Sequence, residues 1–293
     1  MVRIWVMAAR VRTLPAALAP VLVGTSLALG AGVFHPLAFV AALLGAVFIQ
    51  VGTNLSNDYS DARRGADTED RLGPVRVTAG GLVPPKQVLI ATYATFGLAV
   101  LCGVYLVAVA GPELIAVGAA SILAGVLYTG GPRPYGYEGL GEVFVFLFFG
   151  VVAVTGSYFV QVQELPWQAF GCAVPVGLLA SAILVVNNVR DIDTDRRAGK
   201  RTLAVRLGRE RTRRLYTAMV MGAFVSAPVL WALGMSPWLL LCWAAIGLAA
   251  GVVKTVRTRV DGPALNGALA RTGMLQLLFC LLFAAGILAS GGI

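Results

Sequence analysis

Charge is what this sequence has least of. Only 13% of its 293 residues are Asp, Glu, Lys or Arg, about half the roughly 25% of a soluble domain, so a soluble dinucleotide-binding fold or barrel enzyme is excluded. Histidine occurs once, as His35, which leaves little room for a zinc cage or an imidazole base. The four cysteines, Cys102, Cys172, Cys242 and Cys280, have no short spacing between any two. They read as small core residues, without redox or metal function. Segments of alternating apolar and polar residues are missing as well, which excludes a transmembrane barrel.

What fills the chain is apolar sequence, 58% of it. Runs of about 20 apolar residues can cross a hydrocarbon core as helices. Nine are read, at 14–33, 37–56, 88–109, 113–129, 139–160, 169–189, 215–234, 237–254 and 266–289. The expected fold is an all-α integral membrane protein, a single domain over 1–293, with an interfacial arm at 1–12 and aspartate-rich cytoplasmic loops at 57–87 and 190–214. Arg and Lys gather in the arm and in the connections after runs two, four, six and eight, whereas the opposite connections carry only Glu113, Glu164 and His35. That asymmetry places the N-terminus in the cytoplasm and the C-terminus outside. The first run carries Pro15 and Pro20, exceeds the usual apolar core of a signal peptide and is followed by eight more runs, so it is read as a retained span. The net charge of +9 suits anionic lipid head groups and anionic substrates equally; nucleic acid is set aside as a partner. Twenty Arg against three Lys, with abundant Ala, Gly and Val, suggest GC-rich coding and a bacterial inner membrane.

Two long polar connections begin at the ends of runs two and six: Asn54 to Asp70 and Asn187 to Gly208. Asn54 with Asp58 and Asn187 with Asp191 share a four-residue spacing, 133 positions apart, which stacks side chains on one helical face. Asn54, Asp58 and Asp61 would form one polar stripe, and Asn187, Asp191 and Asp195 another, both facing the bundle interior. Each carboxylate there is near lipid, beside like charge, and at the negative end of a helix dipole. Something positive must offset this. Carboxylate and amide oxygens without imidazole or thiolate are the ligand set of Mg²⁺ or Mn²⁺, which complete their shells with water and substrate phosphates. Two such clusters imply a diphosphate held between metals, with Asn54, Asn57, Asn187 and Asn188 supplying amides to substrate. The plainer alternative pairs the aspartates with Arg63, Arg64, Arg190, Arg196 and Arg197 in solvated loops. Lys200, Arg201 and Arg206 lie close enough to fold back and neutralise a departing diphosphate, or serve only as topological charge. Between runs four and five, turn signals surround Tyr128, Arg133, Tyr135 and Tyr137. These tyrosines are either interfacial anchors or a wall whose ring faces stabilise a carbocation.

The segments RTLPAALAPVLVGT from Arg12, NDYSDARRGAD from Asn57, YTGGPRPYGYEGLGEVFVFLFFG from Tyr128 and NNVRDIDTDRRAGKRTLAVRLG from Asn187 resemble the UbiA superfamily of intramembrane prenyltransferases, in its MenA branch. The resemblance spans essentially the whole chain. It implies nine helices around a central cavity, with two aspartate-rich motifs on the cytoplasmic side. The first motif falls on Asn57, Asp61 and Gly65, so its last aspartate is missing and Asp67 stands as the substitute metal residue; the second is intact at Asp191 and Asp195. Implied too is Mg²⁺-dependent transfer of a polyprenyl group from polyprenyl diphosphate to 1,4-dihydroxy-2-naphthoate, with loss of CO₂ and diphosphate, giving demethylmenaquinol for menaquinone biosynthesis. Lys200, Arg133 and Tyr135 are the expected catalytic groups and Arg12 a contact for the acceptor carboxylate. Another acceptor on the same fold, such as 4-hydroxybenzoate, homogentisate or a chlorophyllide, is the nearest alternative. A cation-coupled transporter would instead carry ionisable residues near the midplane and broken helices in both halves.

Overall fold

Proline opens most of the long helices. Pro15, Pro36, Pro85, Pro237 and Pro263 occupy first-turn positions, where the missing N–H is no loss and the fixed φ is already helical. The structure, a computed structural model, describes residues 2–66 and 72–291. In chain order the helices are α1 Val2–Ala9, α2 Pro15–Gly30, α3 Pro36–Arg63, α4 Pro85–Ala110, α5 Glu113–Leu127, α6 Gly141–Val162, α7 Trp167–Arg197, the short α8 Leu203–Leu207, α9 Arg209–Ala232, α10 Pro237–Thr258 and α11 Gly262–Ala289. No strand occurs among the described residues.

The nine expected spans all correspond to helices, but they are not equal. Seven are long and apolar enough to cross a bilayer, and an eighth counts if the arm and α2, bent by 52°, form one span. The remaining one, α5, has 15 residues, about 22 Å of rise against roughly 30 Å of hydrocarbon. In the other direction, α3 continues to Arg63 and α7 to Arg197, so the aspartates expected in loops lie on the last turns of helices.

Burial separates the bundle into two sides. The most apolar stretch of α7 is 72% buried, and that of α4 only 17%. On the α7 side, α2, α7, α9, α10 and α11 share one continuous core, where Phe224 and Phe279 meet edge to face at 5.1 Å. Tyr216 and Thr272 share a 2.8 Å hydrogen bond within it. A smaller cluster of Ala8, Leu55, Val77, Val83 and Val88 docks the arm and the segment before α4 onto α3. The cavity lies between these sides. One wall of it, α6, carries a π-helical stretch at Phe146–Val152, an irregularity that re-aims side chains. There the backbones touch: a Cβ added at Gly177 would meet Phe146 Cδ2 at 2.8 Å, and one at Gly150 would meet Gly177 Cα at 2.6 Å.

Gly177→Leu should therefore force α6 from α7 and cost about 1–3 kcal/mol of stability, the usual range for overpacking. Gly247→Ala, whose added methyl meets nothing within 4 Å, is the control. Thermal unfolding in detergent should show a lowered midpoint for the first protein alone.

Candidate functional site

The cavity has a volume of about 700 Å³ and is lined along α3 from Ala42 to Asp61, a helical rise of about 28 Å. Its mouth is polar and its body apolar. Val100, Val104 and Ile115 both line it and lie 51–61% exposed on the outer surface, so the apolar part opens sideways between α4 and α5.

Two helix ends build the mouth. α3 and α7 both stop on a glycine with left-handed backbone, Gly65 at φ 63° and Gly199 at φ 72°, a conformation a Cβ disfavours. In both, the next residue's N–H returns to the carbonyl five residues back: Ala66 to Asp61 at 3.0 Å and Lys200 to Asp195 at 2.9 Å. The second turn brings Lys200 over the cavity. Its Nζ lies 3.8 Å from Asp195 Oδ1 and 3.9 Å from Asp61 Oδ2, and 4.9 Å from the centre of the Tyr137 ring. Asp61 is held through both of its oxygens. Its Oδ1 accepts from the Tyr137 hydroxyl at 2.5 Å and its Oδ2 from Arg76 Nη2 at 3.1 Å. Asp191 is bridged by Arg190 at 2.8 and 2.5 Å. The plainer pairing with arginine thus holds for that residue. Asn57 accepts from Thr129 at 2.8 Å, Asn187 from Arg190 at 2.7 Å, and Asn188 donates to Glu142 at 2.8 Å. Asn57, Asp61, Asn187, Asn188, Asp191, Asp195 and Lys200 all line the one cavity.

Further in stand aromatic rings. Tyr135 stacks on Phe144 at 4.1 Å and meets Tyr128 edge on at 5.5 Å. Burial pushes the Tyr135 phenol well above its ordinary value, so it stays neutral, and its hydroxyl is spent on the Ala124 carbonyl at 2.8 Å. What Tyr135 offers the cavity is a ring face.

Several expected residues stand elsewhere. Asp58 does not line the cavity; its two oxygens accept from the backbone N–H groups of Val77 and Thr78 at 3.1 and 2.9 Å, pinning the segment before α4. The cavity-facing stripe is Asn57 and Asp61, because Asp58 lies about 100° further round the helix than Asn57. Asn54 reaches the cavity wall but spends its amide on the Ala9 carbonyl and Thr13 hydroxyl, at 3.0 and 3.1 Å. Arg133 is exposed and off the cavity, on the outward side of the Gly130–Gly131 turn. Arg201 points to the surface although its backbone N–H donates to Tyr137, and Arg206 pairs there with Glu138 at 3.1 Å. Arg12 is exposed; Arg10, at φ 53°, lines the cavity in its place. Asp67 lies outside the described residues.

Arg76, Arg10 and Glu142 were not singled out from sequence as site residues, and Tyr137 was read as an anchor or a ring face rather than as a hydroxyl donor to Asp61. Arg76 resembles ordinary topological charge, and only the Gly73-Pro74 and Gly80-Gly81 steps around it hint at a segment folded back on itself. Among the described residues no three His, Cys, Asp or Glu groups converge as a metal cage. The donor set still fits a hard cation: Asp61, Asp191 and Asp195 reach the cavity with amide oxygens beside them, and no His or Cys lines it. Such a cation shares its shell with water and phosphate.

Asp58→Ala should leave two buried N–H groups without acceptors, at about 1–3 kcal/mol each. Limited proteolysis should then cut the segment 72–83 faster than in the parent protein.

The sequence matches the model of the UbiA prenyltransferase family over residues 17–265. It is 44% identical over 290 residues to the 1,4-dihydroxy-2-naphthoate octaprenyltransferase of Mycobacterium tuberculosis, covering 98% of this chain and 97% of that one. To the Escherichia coli protein of the same name it is 40% identical, covering 98% and 95%. Among solved structures, a UbiA homolog from Archaeoglobus fulgidus bound to GPP and Mg²⁺ superposes with a TM-score of 0.71 at 15% identity, over 98% of this chain and 99% of that one, a likeness of fold. Helical bundle, polar mouth and sequence agree: the chain belongs to the UbiA prenyltransferase family.

Proposed function

We propose that this protein transfers a polyprenyl group from its diphosphate to 1,4-dihydroxy-2-naphthoate, releasing diphosphate and CO₂ and forming demethylmenaquinol. The observation that carries the reading is the single cavity joining a mouth of carboxylates and cations to an apolar body open toward lipid. A diphosphate belongs at the mouth and a long isoprenoid in the body. The near-full-length relatives that bear the naphthoate name supply the acceptor.

Asp61, Asp191 and Asp195 are the residues that would hold Mg²⁺. When bound, the ion would draw charge from the diphosphate oxygens. Lys200, between Asp61 and Asp195, contributes a fixed positive charge where the leaving diphosphate gathers negative charge. Such pre-oriented charge is worth most in a water-poor site. Heterolysis of the allylic C–O bond leaves a cation at the isoprenoid carbon. Tyr128, Tyr135, Phe144 and Phe148, all cavity residues, present ring faces to it and keep water away. Attack by the electron-rich ring forms the new C–C bond. Arg10, which lines the cavity, is the guanidinium that would receive the acceptor carboxylate before it leaves as CO₂. The cations that cluster in the connections on this side support a mouth facing the cytoplasm, and the Arg-rich composition supports a bacterial inner membrane.

Purified protein in lipid, given polyprenyl diphosphate and Mg²⁺ with naphthoate or 4-hydroxybenzoate in parallel, should make demethylmenaquinol and CO₂ only with naphthoate, and none with EDTA. Asp191→Asn and Lys200→Ala should insert normally yet lose turnover by about 10²-fold or more, the scale of removing one electrostatic group. Transfer to benzoate alone would overturn the acceptor, and full activity in both variants would overturn the assigned roles.

A further inference from the structure

Glu142 is a buried acid that the chemistry above leaves unused. It sits in the first turn of α6, 3% exposed. Asp61, Asp191 and Asp195 each have a cation within 4 Å; among the described residues no such ion pair involves Glu142. Its Oε1 accepts from Asn188 Nδ2 at 2.8 Å. Its Oε2 is buried with no hydrogen-bond partner among the described residues. The backbone here is held too, because the Ser181 hydroxyl donates to the Glu142 carbonyl at 3.1 Å. A carboxyl oxygen kept from water without a partner costs free energy, so the acid is retained against that cost.

What Glu142 does is choose which end of an amide faces the cavity. Asn188 turns its NH₂ to Glu142 Oε1, at 2.8 Å, and so leaves its carbonyl oxygen for the cavity. The neighbouring amide is set the opposite way. Arg190 only donates, so Asn187 Oδ1 turns toward it, at 2.7 Å, and the Asn187 NH₂ remains for the cavity. Two adjacent cavity residues, alike in chemistry, thereby present one acceptor and one donor.

We infer that Glu142 is a positioning residue for the aromatic acceptor: by locking the Asn188 amide, it presents a carbonyl oxygen that accepts the hydrogen bond of a ring hydroxyl. The inference rests on the proposed reading and names the acceptor class more narrowly, as a phenol or hydroquinone whose O–H donates. The isoprenoid diphosphate has no such donor and is indifferent to this lock.

The test is steady-state kinetics with each substrate varied in turn, on protein that transfers prenyl groups to naphthoate before mutation; if the parent protein does not, it is the proposed function that fails. In Glu142→Leu the amide is free to turn, and KM for the naphthoate should rise about 10-fold, the loss of roughly one hydrogen bond, with KM for the polyprenyl diphosphate unchanged. Glu142→Gln keeps an accepting oxygen toward Asn188 and should stay near the parent values. Should Glu142→Leu not fold, Asn188→Asp sets two acids face to face and should raise the same KM. The pair Glu142→Gln with Asn188→Asp restores an oxygen toward the cavity, since the new amide donates to the new acid, and should recover it. Equal rises in both KM values, no rise in either, a loss in Glu142→Gln as large as in Glu142→Leu, or no recovery in the double variant would each overturn the inference.

Discussion

Carboxylates at the carboxyl ends of helices, inside a membrane protein, are the constraint on which the mouth of this cavity depends. The helix dipole is negative there and the surroundings are poor in water, so such acids need compensating cations or N–H donors. Asp61 obtains Arg76 and Lys200, Asp195 obtains Lys200, and Asp191 obtains Arg190. Those cations arrive by three routes. Arg190 is the chain neighbour of its partner, Lys200 is returned by a glycine turn, and Arg76 comes from a separate segment that Asp58 holds in place through two backbone N–H groups. The segment before α4 and the turn after α7 bring two of these cations inward. The same arrangement is what a diphosphate needs, since a pocket balanced between fixed acids and fixed cations can exchange partners without exposing an uncompensated charge.

The fold was legible because its signals are long. A run of apolar residues flanked by cations reads the same in any context, and all nine runs correspond to helices. Their exact lengths were less legible. Polar residues at 57–63 and 190–197 look like loop, yet they stay helical because the turn-ending glycines come later, at Gly65 and Gly199.

The site divides in the same manner. Asn57, Asp61, Asp191, Asp195 and Lys200 meet at one mouth, as their helical spacing and their chain positions suggest. Asp58 and Arg12 show where spacing stops being informative: a neighbouring residue of the same type, Asp61 or Arg10, takes the cavity position, and only the three-dimensional course of α3 and the arm decides between them. Arg76 was hidden for a different reason. Its partner lies 15 residues away in the sequence, and Arg76 itself stands beyond the end of α3, where helical spacing no longer relates the two. Glu142 was visible as a charge near a turn, but its significance lies in what is missing around it, a second partner, and absence of a contact leaves no mark in a sequence.

The shortness of α5 has a consequence for the lipid. A helix of about 22 Å beside roughly 30 Å of hydrocarbon obliges the adjacent bilayer to thin or its own flanks to draw polar groups inward, at a fraction of a kcal/mol per Å of mismatch. Ile115 and Val117 on α5 belong to the wall where the cavity is open, so the deformation falls at the entry for a lipid-borne chain. Membrane thickness thus becomes a reactant-side variable: lipids that match α5 relax the strain at the portal, and thicker ones concentrate it there.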